Sequence, residues 1–262
     1  MLAILTGVAA RSGAAQIDYR NLDDERPVVT EDAYPIERYA FEVLAPYRFE
    51  RERGGNRIHR VVPEVGYSPF DNTQIGLEVP LAALDESAGS DTRWGLAGIG
   101  VYAFYNLNTE GRVLPGFAVR AEAGLPVGSL AGDATRFAVK AIATRTFGRT
   151  RLHLNALRGF GSEDDIGLMD FTPRWRYTLA ADRTFLRQST LLVAELLTER
   201  AIRGAEVEVN AALGLRYQWR PTLVLDAGVV RRLRNVSGPD YGLTLGLSHA
   251  FAWRALMPSR PR

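Results

Sequence analysis

The side chains best suited to chemistry are three histidines, because the chain contains no cysteine. The absence of cysteine excludes disulfide frameworks, thiolate zinc sites and cysteine nucleophiles. His153 and Asn155 lie two residues apart in LHLNAL, on the polar face of a strand pattern. A hydrolase built on this pair would need a nucleophilic hydroxyl where Asn155 stands. We therefore interpret the two residues as a hydrogen-bonding pair and expect no catalytic residue.

A glycine-rich run, GLAGIGVY, contains Gly95, Gly98 and Gly100. A nucleotide-binding loop needs a helix directly after such glycines, whereas this run continues with the alternation of a strand. Small residues at these positions are expected to make room inside a closed sheet. We predict no cofactor and no metal site.

The overall charge does not indicate a charged macromolecular partner. Lys and Arg total 32, Asp and Glu total 30, and the basic residues are spread along the chain. No basic run forms a nucleic-acid patch, so we expect no nucleic-acid partner. The mean hydropathy of -0.11 is that of an ordinary soluble protein. No stretch reaches the roughly 18 consecutive apolar residues of a membrane helix.

Apolar and polar residues alternate strictly over most of the chain. In FAVRAEAGL, Phe117 and Val119 share one face, while Arg120 and Glu122 share the other. Such a period of two is the signature of a strand with two unlike faces. The pattern predicts an all-β protein of about twelve strands, near 36–51, 56–67, 72–82, 94–107, 112–126, 135–147, 151–161, 174–185, 190–200, 205–219, 222–232 and 240–252.

Three features indicate that the apolar face is turned outward to lipid. The strands are longer than the 5 or 6 residues usual in soluble proteins and match the 9 to 11 of tilted membrane strands. Aromatic residues, such as Trp94 and Trp219, stand at the ends of the apolar faces. Long and short connections alternate along the chain, the long ones including 82–93, 162–172 and 232–240. The sequence therefore predicts a transmembrane, antiparallel, up-and-down β-barrel of the bacterial outer membrane.

The polar face of such a barrel faces its lumen, and there its charges are of mixed sign. Buried charges are costly unless they pair or line water. A barrel of about twelve strands is intermediate between filled and open barrels, so the lumen is either a narrow polar channel or an interior closed by salt bridges. The candidate lumen-lining residues are Arg38, Glu42, Arg60, Glu64, Glu78, Arg120, Glu122, Arg136, Lys140, His153, Asn155, Arg174, Arg176, Glu206, Glu208, Arg216 and Asp226.

The two ends of the chain lack the strand pattern. Residues 1–15 resemble the end of a secretory signal peptide, and an even strand number places both termini in the periplasm. Residues 16–35 are polar and acidic; they form either a periplasmic leader, the preferred interpretation, or a plug inside the lumen, with Asp23, Asp24 and Glu25 meeting lumenal arginines. The barrel covers 36–252, and 253–262 form a periplasmic tail.

The region from about Glu25 through Phe251 contains the segments ERPVVTEDAYPIERYAFEVLAPYRFER, VPEVGYSPFDNTQIGLEVPL, GLAGIGVYAFYNL, FAVRAEAGLPVGS, FGRTRLHLNALRGF and LGLSHAF. In these segments it resembles the phenol-degradation meta-pathway family of outer-membrane transporters. Each piece is a degenerate strand pattern and none is a chemical signature. The resemblance implies an exported barrel with a transport role near aromatic catabolism, and it supplies no binding residues.

Together these patterns predict a monomeric passive channel for small solutes, aromatic or hydrophobic ones among them. The alternatives are a non-conducting structural or scaffold barrel and, less favoured, a membrane-embedded hydrolase. The expected partners are outer-membrane lipid and lipopolysaccharide, the outer-membrane barrel assembly machinery, which reads the closing strand DYGLTLGLSHAF, and a small-molecule solute.

Overall fold

A computed structural model describes residues 12–13, 17–86, 92–162, 167–168, 174–185, 189–234 and 239–257. Residues 1–11 and 14–16, the last residues of the tail and residues of four connections lie outside this range. In the described part of the chain, no helix has the length and apolar character needed to cross a membrane. A single 3₁₀ turn, Arg254–Leu256, follows the last strand.

Twelve antiparallel strands form one closed barrel. The first four each consist of two segments: β1 (Ala40–Leu44 and Tyr47–Glu52), β2 (Arg57–Val61 and Glu64–Tyr67), β3 (Thr73–Glu78 and Leu81–Asp85) and β4 (Arg93–Leu96 and Ile99–Asn108). The other eight are continuous: β5 (Gly116–Leu125), β6 (Arg136–Phe147), β7 (Thr150–Phe160), β8 (Trp175–Thr184), β9 (Thr190–Arg200), β10 (Glu208–Arg220), β11 (Leu223–Arg234) and β12 (Pro239–Trp253).

The interruptions of β1 to β4 lie side by side across the sheet. Pro46, Pro63 and Pro80 each lack the N–H that a ladder hydrogen bond requires. Their carbonyls still accept hydrogen bonds from the next strand, with N–O distances of 3.1, 2.9 and 2.8 Å from Val62, Val79 and Ala97. The ladder therefore continues across the gap, and the two segments of each strand act as one barrel strand.

The barrel closes where β12 pairs with β1. Phe251 is in register with Phe41, and Leu243 with Phe49, so the first and last strands form an antiparallel pair. Closure leaves no row of unpaired N–H and C=O groups in contact with lipid. This geometry confirms the predicted all-β, twelve-strand barrel.

The two faces of the sheet are inverted relative to those of a soluble barrel. On β5, Phe117 is 39% exposed and Val119 36%, whereas Arg120 and Glu122, on the inner face, are 2% and 5% exposed. Outward aromatic residues stand near the strand ends, among them Trp94, Phe147, Phe160, Tyr177, Phe185, Trp219 and Trp253. An apolar exterior with aromatic residues at both rims is the surface of a membrane barrel.

The strand ends differ from the predicted ones by three or more residues in four places. β5 begins at Gly116 and not at residue 112, and β10 begins at Glu208 and not at residue 205. β1 begins at Ala40 and not at residue 36, because residues 36–39 leave the interior and turn into the sheet. β3 continues to Asp85, where Arg57 of β2 is its partner, so the predicted 82–93 connection spans only 86–92.

The connections lie at two ends of the barrel. At the turn end are 68–72, 109–115, 148–149, 185–189 and 221–222, together with the start of β1 and the end of β12. At the loop end are 53–56, 86–92, 126–135, 161–174, 201–207 and 235–238. The loop end has the longest connections, but strict alternation of long and short is not observed. The 53–56 connection at the loop end is a short turn that contains Gly54 and Gly55. At the turn end, the 109–115 connection is held by Arg145, which donates hydrogen bonds to the carbonyls of Gly111 and Leu114.

Candidate functional site in the barrel lumen

Residues 17–36, here called the N-terminal segment, lie inside the barrel. The segment enters at the turn end, where the Ile17 N–H donates to the Pro221 carbonyl at 3.0 Å. It leaves near β3, where the Ile36 N–H donates to the Gln74 side chain at 3.1 Å. Between these points, side chains of β1 and of β3 to β12 contact it. This segment and the inner wall form the candidate site.

The segment is folded back on itself around Asp32. The Asp32 N–H donates to the Leu22 carbonyl at 3.0 Å, and the Asp32 carboxylate accepts from the N–H groups of Leu22 and Tyr34. The intervening residues form a compact loop whose carboxylates point toward the wall. The segment contains six acidic and two basic residues, so its charge is opposite to that of the groups it meets most often.

The first group of ion pairs surrounds Arg120 on β5 and Lys140 on β6. Lys140 Nζ lies 2.6 Å from Asp24 and 3.0 Å from Glu31, and 3.5 Å from Glu122 of the wall. Arg120 lies 3.1 Å from Glu31, and its guanidinium covers the Tyr102 ring at 3.6 Å from the centroid. All these side chains are largely buried, which strengthens their electrostatic interactions.

The second group joins Glu25 to two arginines of distant strands. The Glu25 carboxylate lies 2.5 Å from Arg48 on β1 and 3.3 Å from Arg176 on β8. Arg176 also pairs with Glu199 on β9 at 2.6 Å. One carboxylate of the segment therefore bridges opposite parts of the wall across the lumen.

The third group involves Arg26, the one buried base of the segment. Arg26 pairs with Asp23 of the segment and, at 3.1 Å, with Asp226 on β11, and it donates to Ser248 on β12 at 2.5 Å. Asp23 in turn lies 2.9 Å from Arg216 on β10. Arg26 is 1% exposed and Arg216 is 0% exposed, so these charges depend on one another for neutralisation.

Hydrogen bonds outside the ion pairs hold the central part of the segment. Glu195 on β9 accepts from the Thr30 N–H and hydroxyl, both at 2.6 Å, and the Thr30 hydroxyl also meets Thr178 at 2.7 Å. The Asn155 side chain accepts from the Glu31 N–H at 2.8 Å and donates to the Glu31 carbonyl at 2.9 Å. Asn155 thus pairs with the backbone as a neighbouring strand would.

His153 belongs to a linear network with the geometry of a carboxylate–histidine–hydroxyl triad. Its Nε2 lies 3.0 Å from Asp182, and its Nδ1 lies 3.0 Å from the Thr144 hydroxyl. The Thr144 oxygen accepts from the Ala33 N–H at 3.0 Å, and both His153 and Thr144 are 0% exposed. The segment therefore covers the hydroxyl that a substrate would have to reach. The network instead anchors Ala33 to the wall, with Asp182 also holding Arg151 at 2.6 Å.

Apolar contacts and two wall glycines complete the fit. Leu22 and Val28 pack against Ala180, Leu191 and Val193 on the inner wall. Pro27 lies directly on Gly214 of β10 and Gly228 of β11, where a side chain would collide with it: a Cβ at Gly228 would stand 2.1 Å from the Pro27 oxygen. Only glycine leaves this space free.

Two kinds of carboxylate occur in the segment. Burial alone would raise the pKa of Glu25, but Arg48 and Arg176 lower it from 4.5 to about 2. For Glu31 and Asp32, burial outweighs the basic neighbours and raises the pKa. Glu25 therefore stabilises the docked segment while ionised, whereas protonation of the other two relieves part of their burial cost.

These directions predict that acid releases the segment only well below neutral pH. Glu25 contributes its full stabilisation above 4.5 and loses it as the pH falls through about 2. Protonation of Glu31 and Asp32 favours the docked segment. We therefore expect the segment to stay docked until the pH falls into the range in which Glu25 is protonated. Pepsin is active in acid, and cleavage beside Leu22 as a function of pH measures release. In Glu25→Gln the steep loss of protection in this window should disappear; an unchanged profile would contradict the assignment to Glu25.

A cavity of about 940 Å³ opens beside the segment at the turn end. Tyr19, Arg20, Thr146, Arg149 and Gln218 line it, and it extends inward to Arg151 and Asp182. Deeper in the lumen, the segment and its ion pairs occupy the interior, where a small cavity of about 40 Å³ lies between Glu25, Glu78 and Arg176. The described residues therefore leave a wide opening at the turn end and much less space beside the ion pairs.

The structure brings most of the predicted lumen residues together. The following predicted residues either contact the segment or pair with a residue that contacts it: Glu42, Glu64, Glu78, Arg120, Glu122, Lys140, His153, Asn155, Arg176, Arg216 and Asp226. Arg60 pairs with Glu50 of the wall at 2.6 Å, and Arg136 and Glu208 are buried near the loop end.

Three predicted residues lie at the rims and away from the segment. Arg38 is exposed at the turn end and pairs with Asp71 at 3.0 Å. Glu206 is exposed in the connection before β10. Arg174 precedes β8, where its N–H donates to the carbonyls of Arg200 and Ala201.

Sequence reasoning missed several residues that hold the segment. Arg151 and Thr144 share the inner face with His153 and could have been found from its register. Glu195 lies in TLLVAELLTER, where inward Leu191 and Val193 hide the alternation. Within the described residues, no group of three or more His, Asp or Glu side chains could hold a metal ion.

The chain matches no protein-family model and no curated protein sequence. Among solved structures it is similar to the COG4313 outer membrane channel from Pseudomonas putida F1, with a TM-score of 0.62 and 14% identity, over 84% of this chain and 98% of that one. The KdgM porin gives 0.51 and 16%, over 79% and 98%. The NanC porin gives 0.50 and 12%, over 80% and 98%. At these identities the likeness is one of fold: the chain has the fold of the β-barrels of the bacterial outer membrane.

Proposed function

We propose that the protein is a passive outer-membrane channel for small solutes whose lumen is closed by its own N-terminal segment. The observation that carries the proposal is the polar character of the contact between segment and wall. The contacts around Arg120, Glu25 and Arg26 are ion pairs and hydrogen bonds that all involve one continuous stretch of chain. Water or a polar solute can replace contacts of this kind. The barrel strands themselves do not cross the lumen.

The wall that the segment covers is suited to an aqueous path. Its inner face presents arginine, lysine, glutamate and asparagine side chains along β5 to β11. Such residues satisfy one another or the segment in the closed form and would line water in the open form. The cavity at the turn end already brings solvent space to Arg151. The resemblance to the phenol-degradation meta-pathway family adds aromatic compounds as candidate solutes.

A second function, a permanently closed structural barrel, is favoured by the apolar contacts of the segment. Leu22 and Val28 are 2% and 3% exposed against wall residues such as Leu191 and Val193. Burying such side chains contributes about 1.5–3 kcal/mol each. The two functions differ in whether the segment ever leaves the wall.

A reversible crosslink between segment and wall separates the two functions. Because the chain has no cysteine, Thr30→Cys with Thr178→Cys introduces one disulfide where the two hydroxyls lie 2.7 Å apart. We expect discrete single-channel openings in planar bilayers from the unmodified chain and from the reduced double variant. The oxidised variant should remain closed.

The matched control is Thr178→Cys alone, which cannot crosslink and should open with or without oxidant. The absence of openings in the unmodified chain and in the reduced variant, at every applied voltage, would overturn the channel and support the structural barrel.

A further inference from the structure

The outer face of β6 to β9 carries basic side chains but no acidic ones. Its outward positions, which alternate with the buried ones along each strand, contain no Asp or Glu. The arginines among them stand near the strand ends, Arg145 and Arg183 at the turn end and Arg158 and Arg200 at the loop end. The middle of this face is apolar, as contact with lipid chains requires. Both ends therefore place positive charge at the level of the lipid headgroups.

The two loop-end arginines lie in one row of the sheet with a tryptophan between them. Arg158 of β7 is directly opposite Trp175 of β8, and Trp175 is directly opposite Arg200 of β9. Because neighbouring strands are about 4.8 Å apart, the Cα atoms of the two arginines are about 10 Å apart. Their long side chains can reach one group above the Trp175 ring from both sides. We call Arg158, Trp175 and Arg200 the outer row.

No carboxylate neutralises the outer row within the part of the chain that the structure describes. The side-chain contacts of its arginines there are with aromatic rings, Arg158 with Phe160 at 5.9 Å and Arg200 with Trp175 at 6.0 Å from the centroid. Arg200 Nε is buried and has no hydrogen-bond acceptor among the described residues. Glu199 points into the lumen, where it pairs with an arginine of β8. An anion from outside the chain is the partner that this row lacks.

A cavity of about 400 Å³ opens on the outer face beside the outer row. Ala156, Arg158, Trp175 and Tyr177 are among the residues that line it. Ala156 is directly opposite Tyr177, and the rings of Trp175 and Tyr177 are 5.4 Å apart. From this cavity the outward leucines of β7 and β8 continue an apolar surface toward the middle of the barrel. A cationic end followed by an apolar surface matches a lipid, in which an anionic headgroup is followed by acyl chains.

We propose that the outer row binds the phosphate of an anionic lipid in the membrane leaflet at the loop end. The acyl chains of this lipid lie on the outward leucines of β7 and β8. Guanidinium groups bind phosphate oxygens through paired, charge-assisted hydrogen bonds, and tryptophan and tyrosine are enriched at the headgroup level. Because the site is on the outside of the barrel, it does not depend on whether the lumen conducts. Free phosphate lacks the acyl chains that the apolar surface accommodates.

The arginines at the turn end do not form such a site. Arg145 donates to carbonyls of the 109–115 connection and lies 3.4 Å from Glu110. Arg183 is directly opposite Thr150 and Leu192, so neither an arginine nor a tryptophan is its neighbour in the row. Arg183 is on the same strand as Trp175, at its other end, and provides a matched control.

Quenching of Trp175 fluorescence by brominated lipids tests the proposal. With Trp94→Phe, Trp219→Phe and Trp253→Phe, Trp175 is the only tryptophan of the chain. This parent variant is reconstituted in phosphatidylcholine vesicles with increasing mole fractions of brominated phosphatidate or brominated phosphatidylcholine, whose own choline neutralises its phosphate. We expect half-maximal quenching at an about tenfold lower mole fraction of phosphatidate, the gain from a charge-assisted contact.

Two double variants of the parent locate the preference. Arg158→Gln with Arg200→Gln should abolish it, so that both lipids quench Trp175 alike. Arg183→Gln with Arg220→Gln removes the same charge from exposed positions at the turn end and should retain the preference. Migration of each barrel on unheated gels shows that the variants are folded.

Four outcomes overturn the proposal. Equal quenching of the parent by both lipids, or a preference that survives the loss of Arg158 and Arg200, contradicts a phosphate site in the outer row. A Trp175 that neither lipid quenches is covered by protein and not by lipid. A preference that inorganic phosphate in solution abolishes assigns the row to the free ion instead of the lipid.

Discussion

Valine at position 228 is expected to displace the N-terminal segment and leave the barrel conducting. Gly228 faces the lumen beneath Pro27, and a Cβ there would stand 2.1 Å from the Pro27 oxygen. No real contact is that short, and the atom in the way belongs to the backbone, so no rotamer change relieves it. Overpacking of this kind costs about 1–3 kcal/mol or more. Valine suits a strand, so the barrel itself should tolerate it.

The measurement uses Lys140, which is the only lysine of the chain. In the closed protein its side chain is 3% exposed and surrounded by Asp24 and Glu31. Release of the segment should raise the rate of its modification by a water-soluble amine reagent by about tenfold or more, equivalent to 1.4 kcal/mol. Single-channel recordings should show open events in the same preparation.

The matched control is Ala227→Val on the same strand. Ala227 is the neighbour of Gly228 but points to the outer face, where added methyl groups meet lipid. It should leave both the Lys140 modification rate and the conductance unchanged. A Gly228→Val protein whose Lys140 stays protected would show that Pro27 does not hold the segment in place.

The barrel itself could be predicted from the sequence, because its determinants are local. A membrane strand needs apolar residues on every second position and polar ones between them, and this alternation can be read within ten residues. The inward register of Arg120 and Glu122 followed directly from FAVRAEAGL. Three aligned prolines interrupt β1 to β3 but do not change which residues point inward, because the side-chain alternation resumes on the same face after each break.

The location and contacts of the N-terminal segment could not be predicted in the same way. Arg26 meets Asp226, two hundred positions along the chain, and no periodicity relates the two. Residues 16–35 show no strand alternation, so the same letters fit a free leader and a docked segment. The acid-rich composition indicated only that basic wall residues were suitable partners. Which acid meets which base is decided by closure of the barrel.

Removing the charge of the segment tests the ion pairs without changing its shape. The triple variant Asp24→Asn, Glu25→Gln, Glu31→Gln retains the side-chain volumes but withdraws the carboxylates from Arg120, Lys140, Arg48 and Arg176. Breaking a buried ion pair by removing one partner costs about 3–5 kcal/mol, because the remaining charge stays unpaired. Asp24 and Glu25 carry this loss, because Glu31→Gln, like protonation of that carboxyl, relieves part of its burial cost. We expect the closed state to lose at least about a hundredfold in population relative to the open state.

A second triple variant with the same change of charge on the outside of the protein provides the control. Asp71→Asn, Asp85→Asn and Glu86→Gln break the exposed pairs with Arg38, Arg57 and Arg93, each worth about 0–1 kcal/mol. Their open probability in planar bilayers should equal that of the unmodified chain, while the segment variant conducts almost continuously. If both triple variants remain closed while Gly228→Val opens, shape and apolar contact hold the segment, and the ion pairs do not. If only the segment variant opens, the carboxylates of the segment hold it in the closed lumen through their ion pairs with the wall.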